Sequence, residues 1–337
     1  MSVIVNKIGI FAGSDLSTAM LLKKFSEKVI NKGWSITVFY TPNLQSIKKA
    51  HSRLGKFYLY ERMILPDVHH VLDQYPIVEN ASCFSPNGLS KKYGFGVEEI
   101  NDINSPEFLK RLDTENFNGA LSLRCLQKFS TQFIQRFSKD EGKFLWNLHS
   151  GALPECRGYM PLFRTMLNGQ RKATLTLHEI DKEIDTGDIV GSTTLDIDRS
   201  LLEMTCSSVD CASSLILDAL EKQVHGRVKP IQQKLGSVNR YFSPLPTEVE
   251  KFEKLGLELF PSNATEMIAR AYAGKEENLF KALQRKLEMR ATAFDANVHS
   301  IKPSHSFFSP VGCNPLLENR AATRASETSL LNPPSIN

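Results

Sequence analysis

The chain has 337 residues, 41% hydrophobic and 23% charged, an ordinary globular composition that excludes a wholly disordered or fibrous protein. Its formal charge of +4 comes without a dense Lys/Arg block, so no extended phosphate-binding surface is advertised. No apolar run reaches the ~18 residues a membrane helix needs, and Ile8 to Ala12 is too short for a signal-peptide core, so a cytoplasmic protein with no membrane partner is expected.

Six cysteines, Cys83, Cys125, Cys156, Cys206, Cys211 and Cys313, are spread without a C-x-x-C pair, which fits reduced thiols rather than a disulfide framework or zinc ribbon. The sequon Asn263-Ala264-Thr265 then carries no consequence, because glycosylation needs a secretory route.

Residues 7–13 (KIGIFAG) read as a strand ending in glycine. Ser17 follows as a helix cap, with Met20, Leu21, Phe25 and Val29 at helical spacing, and residues 34–40 (WSITVFY) supply the next strand. Strand, helix, strand favours a parallel sheet. Residues 45–93 are read as helical pieces at 58–63 and 66–72 and a loop after Glu79. Ser105-Pro106 is an N-cap followed by proline at the first helical position, with Phe108, Leu109 and Leu112 on one face.

Residues 120–123 and 144–148 are two more short strands, separated by Phe129, Phe133, Ile134 and Phe137 at helical spacing. Strands at 174–180 and 189–195 follow. The pattern Ser200-x-x-Glu203 then opens a long helix carrying Val209, Ala212, Ile216 and Leu220. Beyond Gly226, prolines 230, 244, 246 and 261 punctuate helices at 247–255, 264–273 and 276–290. From Ser300 onward Ser, Pro, Asn and Ala dominate. The expectation is an α/β domain over 1–225 with a mainly parallel sheet and flanking helices, a small mainly helical appendage over 226–299, and a disordered tail over 300–337.

Asn147 and His149 sit two apart where a strand meets a loop, so both project from one face beyond the carboxyl end of the sheet. Asp185, in the turn Ile184-Asp185-Thr186-Gly187, adds a carboxylate. Amide, imidazole and carboxylate suit acyl transfer to an amine, which needs a donor to a developing oxyanion, a proton carrier, and a group that sets the carrier's charge. A metal site from His149, His178 and Asp185 lacks any short ligand spacing such as H-E-x-x-H, so no metal is expected.

The block from Asn147 to Ile189 resembles the folate-dependent formyltransferases, which share an N-x-H element, an L-P-x-x-R-G-like loop, a strand bearing T-x-H and a D-x-G element. Here these are Asn147 and His149, Leu153-Pro154-Glu155-Cys156-Arg157-Gly158, Thr176-Leu177-His178, and Asp185-Thr186-Gly187. Two departures stand out. Ser150 replaces the usual proline after the histidine, and the first turn, Gly13-Ser14-Asp15-Leu16, lacks a Gly-rich phosphate cradle, which argues against glycinamide ribonucleotide as acceptor.

The resemblance implies a Rossmann-like fold and 10-formyltetrahydrofolate as formyl donor. It implies that Asn147 donates to the formyl oxygen, that His149 as imidazolium stabilises the oxyanion, and that Asp185 favours that charge and relays the amine's proton. Leu126, Phe129, Glu183 and Ile184 fall on the folate side, although packing explains Leu126 and Phe129 equally well. Ser150, Arg157 and His178 fall on the acceptor side, with loop ordering an equal reading for Arg157 and packing the stronger one for His178.

The helical segments after 226 favour a small-molecule amine, such as an amino sugar nucleotide, over tRNA, which stands second. A 10-formyltetrahydrofolate hydrolase would carry a preceding regulatory domain, and the first strand starts at once here. A catalytically silent binding relative is disfavoured by the intact Asn, His and Asp, and a homodimer is compatible with all of these readings.

Overall fold

The computed structural model describes residues 6–41, 52–75, 81, 85–137, 139–236 and 240–300. Among them the strands β1 (Lys7–Gly13), β2 (Ser35–Thr41), β3 (Gly96–Glu99), β4 (Gly119–Leu123), β5 (Phe144–His149), β6 (Lys172–Glu179) and β7 (Ile189–Asp196) form a seven-stranded sheet. Its order is β3-β2-β1-β4-β5-β6-β7. The first five strands pair in parallel, whereas β6 and β7 add at one edge in antiparallel fashion. The chain is thus an α/β fold with a mainly parallel, Rossmann-like sheet.

The central strands read as continuous apolar runs because both faces of the sheet are covered. Ile8, Ile10 and Ala12 of β1 face a large aliphatic core, and Phe11 faces a smaller aromatic one. The large core is roofed by α1 (Leu16–Ile30) and by α8 (Leu201–Val224), whose Val209, Ala212, Ile216 and Leu220 are all buried. The aromatic core packs α5 (Pro106–Glu115) and α6 (Thr131–Gln135) on the other face. Phe11 lies 5.2 Å from Phe39 and 5.0 Å from Phe133, ring centre to ring centre. Truncating such a ring to alanine costs about 3–5 kcal/mol.

The helix starts follow local capping chemistry. Ser105 accepts from the Phe108 amide with Pro106 next in chain, and Ser200 accepts from the Glu203 amide. At α1 the cap is Asp15 rather than Ser17. The Asp15 carboxylate accepts from the Thr18 amide at 3.1 Å, and the Ser17 hydroxyl donates to that carboxylate at 2.7 Å. The helix starts two residues early because it leaves the end of β1 with almost no loop between.

Helices α2 (Ser52–Tyr58) and α3 (Leu65–Gln74) are joined by a π-helical turn, Leu59–Met63, which buries Glu61 and Arg62 against Asp15 and Arg124. Helix α4 (Pro86–Tyr93) precedes β3, and α7 (Pro161–Leu167) precedes β6. After α8 come α9 (Pro246–Lys254), α10 (Ala264–Ala273) and α11 (Glu277–Ser300). Phe252 of α9 stacks on Phe163 of α7 at 4.7 Å, and Ile268 and Tyr272 of α10 join the large core. By contact, the chain through Asp295 is one compact unit. The tail expected beyond Ser300 lies outside the described residues. Among the described residues no helix is long and apolar enough to cross a membrane.

Candidate active site

The antiparallel pairing of β5 with β6 sets Asn147 opposite His178 and His149 opposite Thr176. Residues two apart share a face, so amide, hydroxyl and two imidazoles gather on one side of the strand pair. A register shift between Leu177 and His178 in the pairing with β7 marks a bulge at this point.

β5 ends at His149, and the loop that follows is folded back on it. The Thr176 hydroxyl donates to the Gly151 carbonyl at 2.8 Å. A Cβ on Gly151 would lie 2.5 Å from Pro161 and 3.2 Å from the His149 ring, so only glycine fits. Further along, the Arg157 guanidinium donates twice to the Ile184 carbonyl, and the Gly158 amide donates to the Asp185 carboxylate at 2.8 Å. These bonds clasp the L-P-x-x-R-G loop to the D-T-G turn. Gly187 is equally obligatory, since a Cβ there would meet the Glu179 carbonyl at 2.0 Å. Asp185 itself sits in the left-handed region at φ 56°, a strained setting for a non-glycine residue and one that clusters at functional sites.

The side chains close into a ring. His149 Nε2 lies 2.8 Å from the Cys156 carbonyl, which can only accept, so that nitrogen carries a proton and Nδ1 faces Asp185 Oδ2 at 3.7 Å. His178 donates through Nδ1 to the Glu179 carbonyl at 2.8 Å. Its Nε2 then takes the Asn147 carboxamide N–H at 3.0 Å and lies 3.6 Å from Asp185 Oδ1. Asp185 thus stands between two imidazoles, and a hydrogen bond to either forms when the ring nitrogen facing it takes up a proton.

Burial pushes the His149 pKa below its ordinary 6.5, opposed by the Asp185 carboxylate, so the ring is neutral at rest. Burial alone would raise Asp185. The contact with His178, the attraction to His149 and the Gly158 amide outweigh it and hold the carboxyl at about 2. A neutral buried imidazole beside an ionised carboxylate is poised to accept a proton, because Asp185 stabilises the imidazolium that forms. Asn147 keeps a second amide N–H for a developing oxyanion.

The remaining residues singled out in the sequence are placed unevenly. Ser150 is half-buried directly after His149. Arg157 is spent on ordering the loop. Phe129 is buried in the aromatic core, edge-on to Phe11 at 5.7 Å, whereas Leu126 is 46% exposed. Glu183 is exposed, and Ile184 contributes its carbonyl to Arg157. Among the described residues no group of three His, Cys, Asp or Glu side chains has metal-holding geometry.

Sequence reasoning gave His178 a supporting or packing role, and the β5–β6 register sets it against Asn147. It missed Gln233 altogether. The Gln233 amide donates to the Gly187 carbonyl at 2.6 Å and approaches the Asp185 carbonyl at 3.3 Å, and no local sequence pattern signals this.

The sequence profile described as formyl transferase matches residues 98–209, from within β3 to within α8. A methionyl-tRNA formyltransferase from Streptococcus pyogenes is 33% identical over 128 residues, 36% of this chain and 40% of its own length. The enzyme of the same name from Streptococcus thermophilus is 31% identical over 134 residues, 38% of this chain and 42% of its own. The match therefore spans less than half the length of these relatives. The crystal structure of a sugar N-formyltransferase from a Shewanella species superposes on 73% of this chain and 86% of its own, at 13% identity and a TM-score of 0.47. The segment from residue 98 to residue 209, which carries Asn147, His149, His178 and Asp185, is the part of the chain that matches the formyl transferase model.

Proposed function

We propose that this chain transfers a formyl group from 10-formyltetrahydrofolate to the amine of a small-molecule acceptor, such as an amino sugar nucleotide. The observation that carries the reading is the ionised Asp185 between two buried imidazoles beside the Asn147 carboxamide, inside the family segment. These groups fit a formyl donor: the site offers an N–H to a carbonyl oxygen and a base to an amine. Asn147 donates to the formyl oxygen as negative charge gathers there. His149 takes the proton the amine sheds as its bond to the formyl carbon forms, Asp185 stabilises the resulting imidazolium, and the proton passes to the donor's nitrogen as the formyl C–N bond there breaks and tetrahydrofolate leaves.

The small-molecule acceptor is supported by the region after α8. Its helices are built into the main core, where Phe252, Ile268, Tyr272 and Leu283 are buried, and Lys and Arg alternate with Glu along them. The second reading, transfer to methionyl-tRNA, rests on the names of the curated relatives.

The test is incubation with 10-formyltetrahydrofolate, measuring tetrahydrofolate release with candidate amines, with charged initiator tRNA, and with neither. Release dependent on one amine, together with mass spectrometry showing one added formyl group, supports the proposal. Release dependent on tRNA replaces it with the second reading. Release with neither makes the protein a hydrolase, and no release under any condition makes it a binding relative.

A further inference from the structure

The stretch between α8 and α9 returns across both loops of the site. Ile231 exchanges two backbone hydrogen bonds with Ile189, each 2.8 Å. Tyr241 donates to the Arg157 carbonyl at 2.8 Å and accepts from the Tyr159 amide at 3.0 Å. Between these anchors lies Gln233, buried, with Nε2 on the Gly187 carbonyl at 2.6 Å and the Asp185 carbonyl at 3.3 Å.

Both neighbours are carbonyls and can only accept, so the carboxamide is oriented with its nitrogen toward the turn. Its Oε1 is left buried without a hydrogen-bond partner. A methionine would fill similar space but donate nothing to the Gly187 carbonyl, so packing alone does not account for glutamine here. What the amide gains is a grip on both ends of the turn that holds Asp185 at φ 56°.

We propose that Gln233 is a positioning residue, which locks the Asp185–Gly187 turn so that the Asp185 carboxylate stays between His149 and His178. The effect on turnover rests on the formyl-transfer reading; the geometric claim does not. Without the amide the turn keeps only the Arg157 and Gly158 bonds, relaxes from the strained left-handed region, and draws the carboxylate away from the imidazoles. The groups facing His149 are Asp185, His178 and the Cys156 carbonyl, and those facing Asp185 are the two imidazoles and the Gly158 amide. Asp185 is the carboxylate that favours a charged His149.

The experiment is an NMR titration of the histidine ring protons in the full chain, with His149→Gln used for assignment. Wild type is compared with Gln233→Leu, Gln233→Met and Asp185→Asn. Each Gln233 variant is expected to lower the His149 midpoint by roughly half a pH unit or more. Asp185→Asn is expected to lower it at least as far, and combining it with Gln233→Met to add nothing, because both act through one carboxylate. Where formyl transfer is active, kcat falls about 10- to 100-fold in Gln233→Met while KM for the donor holds.

An unshifted His149 midpoint in a variant with wild-type circular dichroism and melting overturns the proposal, whatever the turnover does. If Gln233→Leu fails to fold, Gln233→Met, which keeps the length and flexibility of the side chain, decides. If wild type transfers no formyl group to any amine, the proposed function fails, and the titration still decides the role of Gln233.

Discussion

Two clusters of charged and titratable side chains lie at the carboxyl ends of β1 and β4 and of the neighbouring strand β5, and they are built on opposite principles. At β1 and β4, Asp15 and Glu61 face Arg62 and Arg124. Arg62 Nε lies 2.8 Å from Glu61, Arg124 Nε lies 3.2 Å from Asp15, and Arg124 also pairs with Glu61. Burial pushes Glu61 up, and Arg124 and then Arg62 overcome it, holding the carboxyl below the usual carboxylate range. At β5 and β6 a single carboxylate faces two imidazoles, one of them driven neutral by burial. The first cluster balances two carboxylates with two guanidiniums, and the second leaves a negative charge waiting for a proton. Open α/β sheets commonly bind ligands where the strand order reverses, which is between β1 and β4 here. In this chain its own paired charges fill that place, so the chemistry falls to the next strand pair.

The comparison breaks most visibly at Glu61. Replacing it by alanine strands Arg62 and Arg124 without their shared partner, and removing one member of a buried ion pair costs about 3–5 kcal/mol. Urea unfolding of Glu61→Ala should show that loss as a lower midpoint with an unchanged slope. A variant as stable as wild type would mean the cluster is not closed as described.

At the other cluster the same kind of change should act on rate and leave stability nearly alone. Asn147→Ala removes the half-buried N–H donor and is expected to lower kcat about 10²- to 10³-fold, the cost of one lost oxyanion donor. The melting temperature should stay close to wild type, because His178 keeps its bond to the Glu179 carbonyl. Wild-type turnover in this variant would remove the amide from the proposed chemistry.

The contrast also explains what could be read without coordinates. Strands, helices and caps were legible wherever the signal is local: the apolar runs of β1, β4 and β5, and Ser105-Pro106 opening α5. The same-face placement of Asn147 and His149 followed from a two-residue spacing. The contact of His178 with Asn147 depends on strand register, which no single segment encodes. Glu61 and Arg62 fall within the helical piece read at 58–63, and only folding sets them as a π turn against Asp15 and Arg124. Phe129 shares the spacing of Phe133 and Phe137, and it lies just before α6 with its ring in the aromatic core. Gln233 lies in a proline-punctuated stretch, and nothing there distinguishes it until the D-T-G turn is folded beside it.

The clusters should also part in their response to pH. His149 has its pKa lowered on folding, so the stability it contributes is full above 6.5 and is lost as pH falls from there toward its folded value. Asp185 goes from 3.8 to about 2, so its contribution is present above 3.8 and is lost as pH falls through that window, about 2 kcal/mol in all. Acid unfolding followed by circular dichroism should accordingly lose part of its steepness between pH 4 and pH 2 in Asp185→Asn. On the kinetic side, kcat/KM should climb with pH along one ionisation whose midpoint lies below 6.5, as a base that must be neutral requires. Residual activity in Asp185→Asn should place that midpoint lower still. A midpoint that rises would assign the ionisation to another group.

The smallest effect lies back at the closed cluster, where a serine and an aspartate compete to begin α1. If Ser17 were the cap, its removal would cost about 1 kcal/mol. Asp15 holds that place, accepting from the Thr18 amide and both neighbouring hydroxyls, while Ser17 only donates into its carboxylate. Ser17→Ala therefore deletes one of several bonds to an oxygen that keeps its other partners, and should cost within about 0.5 kcal/mol, the range of an ordinary surface change. Asp15→Ala removes the cap and a counter-charge of Arg124 together, and should cost several times as much. A loss of only about 1 kcal/mol in Asp15→Ala, measured in the same urea series, would show that Asp15 serves only as a cap and that Arg124 is balanced by Glu61 alone.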